Sequence, residues 1–333
     1  MKKACVIAAG AWGTALAVVL SDNGFRPVLW DRDEHLVESI TELKRSPKLP
    51  GIEIPAPLTA TTDYEEALRG SSIVVSAVPS TGVAEVAATI GKLIPDDALL
   101  VSATKGFDPE TLRRPTQVWL DSNPSLADRL VALSGPNFAI EVVKRLPAAT
   151  VVASHSLGAG EAAQSAFMTP NLRVYTCEDV AGVELGGALK NIIALACGLV
   201  EGKGLGYNAQ AAIISRGIAE ITRLGVALGA YPLTFAGLSG VGDLVLTSTG
   251  HLSRNRQAGI AVGKGEHIQS FLERTGYTVE GLTTVRSAMS LAKRFGISMP
   301  ITETVYGVLY ENISVSHAVS VIMTRQKRHE REF

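Results

Sequence analysis

Cysteine is scarce in this chain, with only Cys5, Cys177 and Cys197 among 333 residues. They are far apart, odd in number and without a CxxC spacing, which argues against both a disulfide framework and a cysteine zinc site. Small buried thiols in a reducing compartment account for them. Histidine is sparse too: six copies form no HxxxH or HExxH pair, and no metal site is expected. Net charge is nearly absent, at −1. No global field therefore draws the chain to nucleic acid or to an acidic membrane. There is also no low-complexity linker and no internal repeat, which excludes solenoids and propellers.

What the chain does have is apolar material. Hydrophobic residues make up 46% and charged ones 19%, enough to bury a sizeable core and to exclude disorder. The length suits about two ordinary domains. Lys2 and Lys3, followed by an apolar run to Leu20, imitate a signal peptide. Gly10 and Gly13 interrupt that run, and folded strand and helix patterns follow, so a folded start is expected. Residues 183–200 are apolar enough to suggest a membrane span, but Lys190 and Asn191 stand at their middle. A bilayer penalises a central lysine, so a buried helix is expected and no membrane insertion.

In the first half short apolar strands alternate with helical patterns. Strands are predicted over residues 4–8, 27–30, 73–78, 99–102, 130–133 and 150–153, with helices over 12–22, 64–68 and 82–93 among them. Such alternation predicts parallel strands with crossover connections, hence a doubly wound, Rossmann-like α/β sheet. Beyond about residue 180 the strand signal fades. Helices are predicted over 180–201, 209–228, 252–262, 268–275, 283–295 and 301–310, with Asp179 as an N-cap and Arg216/Glu220 as an i,i+4 pair. The expected plan is an α/β domain over 1–180 followed by an all-α domain over 181–333.

Gly10 and Gly13 supply the last two glycines of a GxGxxG pattern, with a strand before and a helix after. Without Cβ atoms the backbone can approach a pyrophosphate at the helix N-terminus. Ala8 holds the first glycine position, and its Cβ is tolerated there if φ stays negative. Asp31, after the second strand, suits a ribose 2′-hydroxyl, whereas its neighbour Arg32 suits a 2′-phosphate. NAD and NADP both remain open.

Further signals lie downstream. Lys105, in Thr104-Lys105-Gly106, and the loop Ser134-Gly135-Pro136-Asn137 each follow a strand, at the sheet edge where open α/β folds bind ligands. Lys190 shares a helix face with Val183, Gly186, Gly187, Ile193, Ala194 and Cys197, so its ammonium is expected beside a shallow, poorly solvated groove. Burial lowers a lysine pKa, which suits an acid/base role. Asp243, on the turn Gly240-Val241-Gly242, is a carboxylate able to orient such a lysine. Ser253-Arg254-Asn255-Arg256 brings a hydroxyl, an amide and two guanidinium groups together, and either Arg254 or Arg256 can grip a phosphate bidentately.

Taken together, these stretches resemble the bacterial-type NAD(P)-dependent glycerol-3-phosphate dehydrogenase family. The resemblance runs in order through Gly10-Ala11-Trp12-Gly13-Thr14-Ala15-Leu16-Ala17, Ala77-Val78-Pro79-Ser80, Thr104-Lys105-Gly106, Ser134-Gly135-Pro136, Gly187-Ala188-Leu189-Lys190-Asn191, Gly240-Val241-Gly242-Asp243-Leu244, Ser253-Arg254-Asn255, Val279-Glu280-Gly281 and Met299-Pro300-Ile301-Thr302-Glu303. It implies an oxidoreductase that interconverts dihydroxyacetone phosphate and sn-glycerol 3-phosphate with NADH or NADPH and feeds phospholipid synthesis. It implies Lys190 as proton donor and acceptor at the substrate oxygen, Lys105 in contact with cofactor and substrate, and Asp243 among the substrate contacts. Gly135, Asn137, Ser253, Arg254 and Asn255 would contact substrate. Gly10, Ala11, Trp12, Gly13, Asp31, Arg32, Ala139, Arg254 and Glu280 would belong to the cofactor site. A cytoplasmic homodimer is also implied. Ala8 for glycine and Ala11 for serine depart from the family pattern. The rival readings are a related hydroxy-acid or sugar-acid dehydrogenase and a nicotinamide-sensing protein without turnover.

Overall fold

A computed structural model describes residues 1–326 and 329. The basic tail at residues 325–331 therefore lies mostly outside the described residues. The chain forms two compact units, residues 1–104 with 113–180, and residues 105–112 with 181 onward.

The first unit is built on one eight-stranded sheet: β1 (Lys3–Ile7), β2 (Arg26–Trp30), β3 (Thr59–Thr61), β4 (Ser71–Ser76), β5 (Leu99–Ser102), β6 (Leu130–Ser134), β7 (Ala148–Ala153) and β8 (Leu172–Cys177). Their order is β3-β2-β1-β4-β5-β6-β7-β8, with chain direction reversing its progress across the sheet beside β1. Both faces are covered, so the strands read as continuous apolar runs rather than alternating ones. Ala4 and Val6 of β1 join one core, with Val75 and Val101. Cys5 and Ile7 join the other, with Val74 and Leu100.

Two features differ from the sequence expectation. β6 and β7 pair antiparallel, while every other neighbouring pair is parallel. The segment joining them carries only the five-residue helix Ala139–Val143, too little for a full crossover. β3 and β8 also went unpredicted. β3 has three residues and no pattern to read. β8 does alternate, with Leu172 and Val174 buried and Arg173 and Tyr175 exposed, so period two was its available signal.

In the second unit the helix Val180–Gly202 is the hub. Among the described residues it is the one helix long and apolar enough to cross a membrane, and its apolar window is entirely buried in protein. Leu185, Leu189, Ile192 and Leu199 share a core with Leu224 of the helix Gly206–Ala227, Val285 of Glu280–Phe295 and Val305 of Pro300–Tyr310. The helix Arg254–Gly263 crosses the hub at unusually short range. A Cβ on Gly198 or Gly202 would strike the backbone of Arg256 or Ile260, and one on Gly259 or Gly263 would strike that of Leu195 or Leu199. Four glycines, paired four apart on each helix, thus fix where residues 254 and 255 stand along the hub. Glu220 is buried, and its carboxylate accepts the N–H groups of Ile301 (2.6 Å) and Thr302 (3.2 Å), capping Pro300–Tyr310.

Candidate active site

Asp243 opens the helix Asp243–Thr249, directly after a π-helical turn over Leu238–Gly242. That turn needs its glycines. A Cβ on Gly240 would strike the Phe235 carbonyl, and one on Gly186 would strike the Ser239 carbonyl. The turn's backbone therefore sits on the hub helix at Gly186. Backbone thus fills the expected groove at Gly186, and Lys190 is poorly solvated, as expected, at 6% exposed.

Asp243 is 1% exposed, and its carboxylate bridges two ammonium groups. Lys190 Nζ donates to Oδ1 at 2.6 Å and Lys105 Nζ to Oδ2 at 2.6 Å. Thr247, one helical turn on, accepts from Lys190 at 2.6 Å and donates to Asp243 Oδ1 at 3.2 Å. Burial drives the Lys190 pKa down, Asp243 opposes that, and the Lys105 charge adds to it, leaving the ammonium at about 8. Burial alone would raise the Asp243 carboxyl, but the two lysines outweigh it and hold the group below its ordinary value. The result is a dry cluster with one surplus positive charge beside a proton that can leave near neutral pH.

A polar chain runs alongside. Asn191 accepts from Asn255 Nδ2 at 3.0 Å and donates to Glu280 Oε2 at 3.4 Å. Asn255 Oδ1 accepts the Gly281 N–H at 2.9 Å. These bonds tie together the hub, Arg254–Gly263 and the N-terminus of Glu280–Phe295. Burial raises the Glu280 pKa, and the charges of Arg254, Lys105 and Lys190 partly offset the shift. Ser253 is buried and caps Arg254–Gly263, its hydroxyl accepting the Arg256 N–H at 3.2 Å. The two arginines left open by the sequence now differ. Arg256 is held by Glu201 at 2.6 Å, whereas Arg254 is exposed. Thr247 and Asn191 are the residues that sequence reasoning missed. Their signals were the i,i+4 spacing from Asp243 and the position next to Lys190.

The first unit gathers a separate set. Between β1 and the helix Ala11–Asp22, the N-cap Gly10 makes no side-chain cap and the first helical turn holds no acidic residue. A Cβ on Gly10 would meet nothing within 4 Å, while one on Gly13 would strike the Ala8 carbonyl. Gly10 thus leaves an open approach to the N–H groups at the start of the helix, including Ala11 and Trp12, and Gly13 permits tight strand–helix packing. Such an open helix start favours an anion. Ala8 has φ +78°, against the negative value under which its side chain was expected to be tolerated. Asp31 accepts the Ala9 N–H at 2.7 Å and the Asp33 N–H at 3.2 Å, so both carboxylate oxygens brace the loop. Arg32 is exposed and the indole N–H of Trp12 is buried without a partner. In the loop after β6, a Cβ on Gly135 would crowd Thr150 at 2.9 Å. Asn137 donates to the Ala149 carbonyl at 2.9 Å while its own side-chain oxygen is buried without a partner, and Ala139 starts the next helix.

A mostly parallel sheet with a glycine-opened helix start, and a carboxylate-held buried lysine in a helical unit, fit the class of nicotinamide-dependent oxidoreductases. The family description NAD-dependent glycerol-3-phosphate dehydrogenase matches its N-terminal part at residues 3–159 and its C-terminal part at 179–320. A glycerol-3-phosphate dehydrogenase [NAD(P)+] of Thermoanaerobacter sp. is 46% identical over 328 residues, 98% of each chain. One of Bacillus pumilus is 46% identical over 334 residues, 100% of this chain and 97% of that one. The crystal structure of the Coxiella burnetii glycerol-3-phosphate dehydrogenase superposes with a TM-score of 0.92 at 34% identity, covering 97% of this chain and 99% of that one. The chain belongs to the NAD-dependent glycerol-3-phosphate dehydrogenase family.

Proposed function

We propose that this protein interconverts dihydroxyacetone phosphate and sn-glycerol 3-phosphate with NADH or NADPH, Lys190 serving as the acid and base at the reacting oxygen. The observation that carries this reading is the buried Lys190 held 2.6 Å from Asp243, whose other oxygen is held by Lys105. When bound, the reduced nicotinamide supplies hydride to the ketone carbon. The chain's own residues do the rest. Lys190 stabilises the developing alkoxide and gives it a proton, and Asp243 with Thr247 fixes the direction of that N–H. Lys105 adds a second positive charge at the substrate oxygen. Arg254 anchors the phosphate, and Asn255, with one amide hydrogen given to Asn191, has a second for the same group. Ser253, Gly135 and Asn137 complete the substrate contacts. Remote phosphate binding then positions the carbonyl.

The cradle at Gly10, Ala11, Trp12 and Gly13 receives the cofactor pyrophosphate, with Asp31, Arg32, Lys105, Ala139, Arg254 and Glu280 as further cofactor contacts. The family supports a role for the product in glycerophospholipid synthesis, and the same reading expects a cytoplasmic homodimer.

The decisive assay follows oxidation of NADH and of NADPH with dihydroxyacetone phosphate. Turnover with at least one is expected, and no turnover with either overturns the assignment. Arg254→Ala is expected to raise KM for the phosphorylated ketone roughly 10- to 100-fold, the worth of one charge-assisted contact. An unchanged KM would place the phosphate elsewhere.

A further inference from the structure

The segment Lys105–Leu112 follows β5 and precedes the helix Pro115–Ser122, both of the first unit, yet it packs as part of the second. Phe107 is the reason. Its ring is 2% exposed and lies in the core cluster of the second unit, with Leu112 packed against the same core. The local backbone is shaped to deliver it. Gly106 has φ +139°, a conformation that favours glycine, between the lysine and the aromatic ring. Buried Asp108 then closes a turn, accepting from the Thr111 N–H at 2.8 Å and the Thr111 hydroxyl at 2.6 Å.

We infer that Phe107 is a positioning residue, whose burial in the second unit's core holds Lys105 on Asp243. This inference rests on the proposed role of Lys105. Fixing a lysine side chain costs rotamer freedom, and a loop of eight residues adds backbone freedom to that cost. An apolar anchor two residues away removes much of the second part, because the loop is already ordered before the ammonium meets its partner. Lys105 is thereby fixed to the unit that carries Lys190 and Asp243, and its charge acts on them with constant geometry. The alternative is that the ion pair holds the loop and Phe107 merely fills space.

The test is a double-mutant cycle in the full-length enzyme with Lys105→Met, Phe107→Ala and the pair. Lys105→Met is expected to lower kcat roughly 10²-fold, as for other lost charge-stabilising donors. Phe107→Ala is expected to lower kcat toward that level and the double variant to fall no further. Phe107→Leu, which keeps an apolar anchor, should restore most of the loss. A second readout separates positioning from cavity damage. The groups acting on Lys190 are Asp243, Lys105 and Glu280. Losing the Lys105 charge should move the alkaline limb of kcat to higher pH in both Lys105→Met and Phe107→Ala. If Phe107→Ala does not fold, the same cycle is run with Phe107→Leu, whose smaller loss must also vanish in the Lys105→Met background. Losses that multiply in the double variant, or a limb unmoved in the Phe107 variant, overturn the anchor while the reading of Lys105 stands. Unchanged kcat in Lys105→Met overturns both.

Discussion

In the first unit the groups that matter are backbone N–H donors at the open start of a helix, whereas in the second they are ionised side chains packed away from water. The difference sets what each can do. A helix terminus offers fixed partial charges that favour an anion and never titrate, so it suits holding a cofactor. The cluster of Lys190, Asp243 and Lys105 has an ammonium brought to about 8, so it suits giving and taking a proton. The polar braces differ likewise. Asp31 supports a loop through two N–H groups, of buried Ala9 and exposed Asp33, while Asn191, Asn255 and Gly281 knit three helices in the interior. One unit binds by shape and dipole, the other by charges that burial has made costly and therefore responsive.

The strongest way to break that contrast is Asp243→Asn. It leaves buried Lys190 and part-buried Lys105 without their carboxylate, and losing one partner of a buried ionic cluster costs roughly 3–5 kcal/mol. We expect kcat to fall by about 10³-fold or more, since the lysine loses both orientation and counter-charge. Urea unfolding should show the stability loss, and adding Lys190→Met should recover part of it by removing one orphaned charge. Cofactor affinity, measured by fluorescence of bound NADPH, should change little. Near-normal turnover in Asp243→Asn would end the case for a titrating cluster.

A pH series sharpens the same contrast with a smaller effect. Reduction needs protonated Lys190, so kcat/KM for dihydroxyacetone phosphate should be level below about 8 and fall tenfold per pH unit above it. Oxidation of sn-glycerol 3-phosphate needs the neutral amine and should rise through the same region. Stability carries the matching sign. A lysine lowered from 10.5 to about 8 by burial binds its proton less tightly folded than unfolded. Its contribution therefore disfavours the folded state below 8 and improves as pH rises from 8 toward 10.5. Coincident limbs for both reaction directions, moving the same way with pH, would contradict the assignment.

The contrast also explains what the sequence disclosed. Gly10, Gly13 and the run of β1 are local, so their strand–turn–helix meaning could be read directly. Lys190 was legible because a charge among small and apolar neighbours is rare. Asp243 could be named as its orienting carboxylate from the glycine turn, but Thr247 could not, because it lies more than fifty residues from Lys190 beyond a π-helical start that leaves no periodic trace. The helix over 180–201 was readable, but the use of Gly198 and Gly202 on it, admitting the helix Arg254–Gly263 to the hub, exists only in the packed fold. For the same reason Lys105 reads as a residue of the first domain, although Phe107 carries it into the second.

The smallest effect concerns Ala8, where the first unit departs from the relaxed geometry of a glycine loop. Its φ of +78° lies in the left-handed region, which costs a residue with a Cβ roughly 1–2 kcal/mol. The conformation is held from outside: Ala8 donates its N–H to the Trp30 carbonyl at 2.9 Å, Ala9 donates to Asp31, and Gly13 packs on the Ala8 carbonyl. Glycine would relieve the strain but enlarge the unfolded ensemble by roughly 0.4–1 kcal/mol, so a net gain of about 1 kcal/mol, mid-way through the range these terms allow, is expected for Ala8→Gly. In a unit of this size that raises the thermal midpoint by roughly 2–4 °C. The Lys190 pH limb should stay where it is, because nothing in the second unit's charge cluster changes. A lower midpoint would show that Ala8 is relaxed where it stands, and that the cost in this protein lies with the buried lysine of the second unit and not with the loop of the first.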